Sequence, residues 1–170
     1  ALNISCPNTE DDMAGTLASL KGQIAAIRSE AGACPVMVKL GPTGDTDSLR
    51  PLVLTALEAG AAGFIATNTV PFDKHGLLNG AVPNWPLNAQ GQHVGGYSGP
   101  GLLFIAQEMV RAVRSFAGPK VPIIGVGGVQ SGEDAVRLIK AGANLIQLYT
   151  GLIYKGPKLL REIKGVLARS

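Results

Sequence analysis

Two rhythms of apolar residues alternate along this chain. Short, nearly continuous apolar runs, many of them β-branched, occupy residues 2–5, 36–40, 63–67, 121–126 and 145–149. Runs that do not alternate with polar residues are expected of parallel strands buried on both faces. Between them the spacing becomes helical, in four successive groups: Leu17, Leu20, Ile24 and Ile27, then Leu49, Leu52, Val53 and Leu57, then Ile105, Met109, Val113 and Phe116, then Ala135, Val136 and Ile139. A last helix is expected from about Lys158 to Ala168.

Local signals support these boundaries. Ser131-Gly-Glu-Asp134 has the spacing of a capping box. Gly60 and Gly142 each follow a helix within an Ala-Gly-Ala triplet, where glycine can take the left-handed C′ conformation and lead into the next strand. The helix–AGA–strand unit occurs twice, a weak internal repeat.

Alternating strands and helices imply a parallel sheet with helical crossovers. Two architectures satisfy the pattern, a doubly wound open sheet and a (β/α) barrel. A complete barrel needs about 250 residues, so five strands make part of one. The chain opens directly on an apolar strand, which reads as a cut N-terminus. Residues 70–100 show no sustained periodicity and are rich in glycine, proline and asparagine. A connection of that length is expected to be a functional loop; a decorated surface insertion is the plainer reading.

Composition narrows the classes. Apolar residues make up 46% and charged ones 16%, a core-forming balance. The formal charge of +3 is scattered, and the basic residues from Lys155 to Lys164 read as one solvated helix face. Without a basic stripe interleaved with aromatics, no nucleic-acid role is expected. Cys6 and Cys34 are too few for a disulfide framework or a four-ligand zinc site. No apolar run reaches the roughly 18 residues of a membrane span, so a cytoplasmic protein is expected.

The residues able to do chemistry follow strand ends, where barrel active sites lie. Gly125-Val-Gly-Gly128 and Tyr149-Thr-Gly151 are adjacent late turns with free backbone N–H groups, the usual barrel phosphate site. Lys39 ends an apolar strand, either snorkelling to the rim or facing an anionic ring. Asn3, Asn8, Asn68 and Thr69 offer groups for a planar, multiply hydrogen-bonding ligand; singly, each also reads as a turn or cap residue. Cys6, in a polar loop, is the candidate general base. Cys34, beside Pro35, fits an inert packed thiol, and His75 and His93 read as surface residues. No metal site is expected.

Together these motifs resemble the dihydroorotate dehydrogenase family. Asn3-Ile-Ser-Cys-Pro-Asn-Thr9 is similar to its catalytic loop. The stretch from Pro122 through Gly128 and Ser131–Asp134 to Gln147-Leu-Tyr-Thr150 is similar to its FMN-phosphate segment. Val38-Lys39-Leu40, Thr67-Asn-Thr69 and Gly95-Gly-Tyr-Ser-Gly99 follow in the family's order.

The resemblance implies the later part of a single FMN-binding (β/α)₈ barrel domain over 1–170, its first strands missing, with 70–100 as a long active-site loop. It implies oxidation of dihydroorotate to orotate in pyrimidine biosynthesis. Cys6 would take the C5 proton while the C6 hydride passes to flavin N5. Asn3, Asn8, Asn68 and Thr69 fall at substrate positions. Asn3, Lys39, Thr67, Gly99, Gly127, Gly128, Tyr149 and Thr150 fall at FMN positions.

A cysteine base is similar to the soluble class 1 enzymes. Gln147–Thr150 and Lys155-Gly-Pro157 are instead similar to the membrane-associated class 2, for which peripheral membrane contact is implied. Phe72-Asp73 in the long loop is similar to the class 1 form that has an iron–sulfur partner subunit. The acceptor stays open, as does a homo-oligomer or an electron-transfer partner. The alternatives are dihydropyrimidine dehydrogenase-like chemistry, an inactive half-barrel holding a phosphate-bearing ligand, and a phosphate-site barrel without flavin.

Overall fold

A computed structural model of the chain describes residues 1–4, 13–78 and 85–169. Each apolar run supplies a strand, trimmed to its paired centre. In chain order the strands are β1 (Leu2–Asn3), β2 (Met37–Leu40), β3 (Gly63–Ala66), β4 (Val70–Pro71), β5 (Gly96–Tyr97), β6 (Ile123–Val126) and β7 (Leu145–Gln147). The helices are α1 (Met13–Ala31), α2 (Leu49–Glu58), α3 (Leu103–Ala117), α4 (Gly132–Ala141), α5 (Thr150–Lys155) and α6 (Lys158–Leu167).

The main sheet runs β1-β2-β3-β6-β7, with every pairing parallel. This order decides between the two architectures. A doubly wound sheet reverses its strand order at a switch point and carries helices on both faces. Here the order never reverses, and the helices clothe one face. Val38, Leu40, Phe64, Ala66 and Ile123, on the clothed face, are fully buried. On the other face the register aligns Asn3, Lys39, Ile65, Ile124 and Leu145 in one row. Ile65 is buried, Lys39 and Ile124 are half-buried, and Leu145 is 62% exposed. The fold is an arc of a (β/α) barrel, five parallel strands with crossover helices outside.

Among those helices α3 is the keystone. Its buried stripe of Leu103, Ile105, Ala106, Met109, Val110 and Val113 follows helical spacing, while Phe104 between them is exposed. Each of the larger buried side chains contributes about 1.5–3 kcal/mol, and Ala106 less.

Helix ends behave as the triplets imply. Gly60 and Ala61 donate to the carbonyls of Leu57 and Ala56, and Gly142 and Ala143 donate to those of Ile139 and Leu138. Both are Schellman closures, with the glycines at φ 91° and 118°. At the α4 N-terminus Ser131 Oγ accepts from the Asp134 N–H, whereas the Asp134 carboxylate accepts from Gln130 N–H rather than closing the box on Ser131.

The strands' N-terminal end is tied by one side chain. Arg114 of α3 donates to the carbonyls of Gly118, Val121 and Gly142 and to Asn144 Oδ1. Asn144 Oδ1 also accepts from Ile123 N–H, at the start of β6.

One expectation needs correction and another gains detail. Within the 70–100 connection β4 and β5 pair antiparallel at its base, and a 3₁₀ stretch spans Phe72–Leu77. Phe72 stacks on His75 and His93 and meets Trp85 edge-on, an aromatic cluster with no period for a sequence pattern to reveal. Cys34 is exposed rather than packed, because it lies in the turn after α1, its N–H donating to Ala31 O.

Candidate functional site

The C-terminal ends of β2, β3, β6 and β7 converge on one cavity of about 330 Å³. Lys39 enters from β2, and Thr67, Asn68 and Thr69 follow β3. Val126 to Gln130 follow β6, and Gln147 to Gly151 follow β7. Ser98, Gly99 and Leu102 close the wall from the segment entering α3.

The β3 end is held firmly. Thr67, 2% exposed, donates its N–H to Val126 O at 2.8 Å and its hydroxyl to Leu40 O at 3.2 Å. The Asn68 N–H donates to Leu40 O at 2.9 Å. The Asn68 side chain bridges outward, its amide donating to Asn3 Oδ1 at 3.4 Å and its own oxygen accepting from Thr69 N–H at 3.0 Å. Asn3 therefore stands beside the cavity through Asn68.

The β6 turn contains glycines because it presses on α3. At Gly128, with φ 73°, a Cβ would lie 2.3 Å from Leu103 N, and one on Gly127 would lie 3.0 Å from Leu102 Cγ. The turn after β7 meets the same wall, where Thr150 Oγ1 donates to Ser98 Oγ at 2.8 Å. Among the described residues lining the cavity, Lys39 is the one charge and none is acidic. Hydroxyls, amides and bare backbone make up the rest of its polar surface. Such a surface suits an anionic ligand.

Comparison with known proteins places this arrangement. The family model described as "Dihydroorotate dehydrogenase" matches residues 1–170. The chain belongs to the dihydroorotate dehydrogenase family.

A relative from Delftia acidovorans, named dihydroorotate dehydrogenase (quinone), is 37% identical over 99% of this chain and 48% of its own length. One of the same name from Prochlorococcus marinus is 40% identical over 95% of this chain and 41% of its own. A crystal structure of the Eimeria tenella enzyme in complex with ferulenol superposes with a TM-score of 0.72 at 26% identity. That superposition covers 97% of this chain and 47% of the other. The chain thus spans about half the length of the relatives it matches.

In this family member, nine of the residues singled out from sequence line the one cavity: Lys39, Thr67, Asn68, Thr69, Gly99, Gly127, Gly128, Tyr149 and Thr150. Cys6 and Asn8 lie outside the described residues. Gln130 also lines the cavity without having been singled out, as do Ser98, Gln147 and Gly151, which the sequence reading held only within longer motifs and gave no separate role. Ser98 had a signal, its place next to Gly99. Gln147 had one too, as a polar residue closing an apolar strand. No helix among the described residues is long and apolar enough to cross a membrane.

Proposed function

We propose that this chain carries the cofactor and substrate site of an FMN-dependent dihydroorotate dehydrogenase, oxidising dihydroorotate to orotate in de novo pyrimidine biosynthesis. The proposal takes residues 1–170 as the later portion of a single (β/α)₈ barrel domain, with 70–100 as its active-site loop. One observation carries it: a cation, three consecutive polar residues and two glycine-bearing turns, widely separated in sequence, share a single cavity at the strand ends.

The donor set fits FMN. Ser98, Thr150 and the backbone of Gly99, Gly127 and Gly128 would hold the phosphate, in a wall to which none of the described residues brings a carboxylate. Lys39 and Thr67 would lie against the ring, with Tyr149 at the phosphate end. Bound FMN supplies a hydride acceptor. Cys6 is assigned the proton leaving C5 of dihydroorotate as the C6–H bond breaks and the C5–C6 double bond forms. Asn3, Asn8, Asn68 and Thr69 are assigned to hold the substrate ring. The names of the relatives support a quinone as the final acceptor, over fumarate or an iron–sulfur partner.

Anaerobic absorbance of the chain with FMN, before and after dihydroorotate, tests this reading. Bleaching that depends on the protein, with orotate as product, is expected. Bound FMN that dihydroorotate leaves oxidised would overturn it.

A further inference from the structure

A small clasp joins the two ends of the cavity. β4 begins directly after Thr69, and β5 leads directly into Ser98. Their register sets Val70 opposite Tyr97 and Pro71 opposite Gly96. Val70 is fully buried and roots the clasp in the core. The residues assigned to substrate and those assigned to cofactor therefore leave the same antiparallel pair from neighbouring positions.

Two contacts make this juxtaposition rigid. A Cβ at Gly96 would lie 2.2 Å from Thr69 Oγ1 and 2.7 Å from Thr69 Cβ. Both distances are below any real carbon contact, and Thr69 Cβ moves only with its backbone. The Thr69 side chain keeps its place because residue 96 has none. Next to it on the same strand, the Tyr97 hydroxyl accepts from the Gly101 N–H at 3.2 Å. A Cβ at Gly99 or Gly101 would lie 3.2 or 3.0 Å from that oxygen. The phenol thus backs the turn that carries Ser98 and Gly99 into the cavity wall. Neither Gly96 nor Tyr97 lines the cavity.

We propose that Gly96 and Tyr97 are positioning residues, Gly96 for Thr69 and Tyr97 for the Ser98–Gly99 wall, so that the clasp fixes the spacing between substrate and cofactor. Their role rests on the cavity being the FMN and dihydroorotate site proposed above.

Gly96→Ala and Tyr97→Phe test it in opposite directions. Gly96→Ala is expected to raise KM for dihydroorotate about tenfold or more while FMN affinity stays within twofold. Tyr97→Phe is expected to weaken FMN binding roughly 2- to 10-fold while KM for dihydroorotate at saturating FMN holds. General loosening of the fold would move both constants together, and that outcome, or two variants matching the parent, overturns the proposal. A parent chain that takes up neither FMN nor dihydroorotate would instead count against the proposed function. Amide exchange then decides the clasp: Tyr97→Phe must accelerate exchange of the Gly101 N–H, and unchanged exchange there overturns it.

Discussion

The hydroxyl of Thr150 donates to the hydroxyl of Ser98 across 2.8 Å, joining the turn after β7 to the end of the long loop. Each of these hydroxyls keeps a further hydrogen-bonding position free to face a ligand. Ser98→Ala and Thr150→Ala are each expected to weaken FMN binding roughly 2- to 10-fold. Because the two groups touch, the double variant should lose less than the sum of the singles. Fluorescence quenching of FMN titrated into the four proteins checks both statements; strict additivity would mean the pair does not act as a unit.

Replacement of Cys6 by alanine should abolish reduction of flavin by dihydroorotate. Loss of a general base costs about 10²–10⁴ in rate, while FMN affinity should stay at the parent value. Stopped-flow bleaching measures the first and equilibrium titration the second. Reduction at the parent rate would remove Cys6 from the role.

Arg114 is predicted to matter for stability and not for ligand binding. Its guanidinium reaches three carbonyls and Asn144 at the end of the sheet away from the cavity. Arg114→Ala should destabilise the chain by about 2–4 kcal/mol in urea unfolding. Arg114→Lys should recover only part of this, since one ammonium cannot span the same fork of acceptors.

Gly128→Ala should be costly in both respects. The residue sits at φ 73° and a Cβ there would strike the backbone of Leu103, so the β6 turn must withdraw from α3. A loss of about 1–3 kcal/mol from backbone strain is expected, with overlap adding to it. FMN affinity should fall with it, because the displaced turn is part of the cavity wall. Unfolding curves and FMN titration on the same preparation separate the two effects.

How much of this was legible beforehand follows from which forces act locally. The Schellman glycines Gly60 and Gly142 and the Ser131 cap are set by neighbours within a few residues, so sequence spacing exposes them. The strand runs are legible as near-continuous apolar stretches, although only the helix-side residues of β2 and β6 are fully buried and the alternate ones are half-buried. Pattern alone left the barrel and the open sheet both standing, because the crossovers carry no record of which face they take; the motifs pointed to the barrel, and the strand order bears that out. The Arg114 tie was invisible: its acceptors lie in two separate connections, between α3 and β6 and between α4 and β7, and no residue pattern marks them as its partners. The β4–β5 clasp was hidden likewise, since two strands of two residues leave no period. For the cavity, family resemblance supplied residue choices that pattern alone left open, and the fold then brought nine of them to one place.

A sheet clothed on one side has a calorimetric signature. With Leu145 and Ile124 of that row already in partial contact with water, unfolding brings less new apolar surface into solvent than the chain's length suggests. The heat-capacity increment should therefore fall below the usual 12–15 cal/mol/K per residue, roughly, and the stability curve should be correspondingly flat. Any layer laid over the bare face would steepen that curve, so the curvature itself reports whether the inner side of the arc is wet or dry.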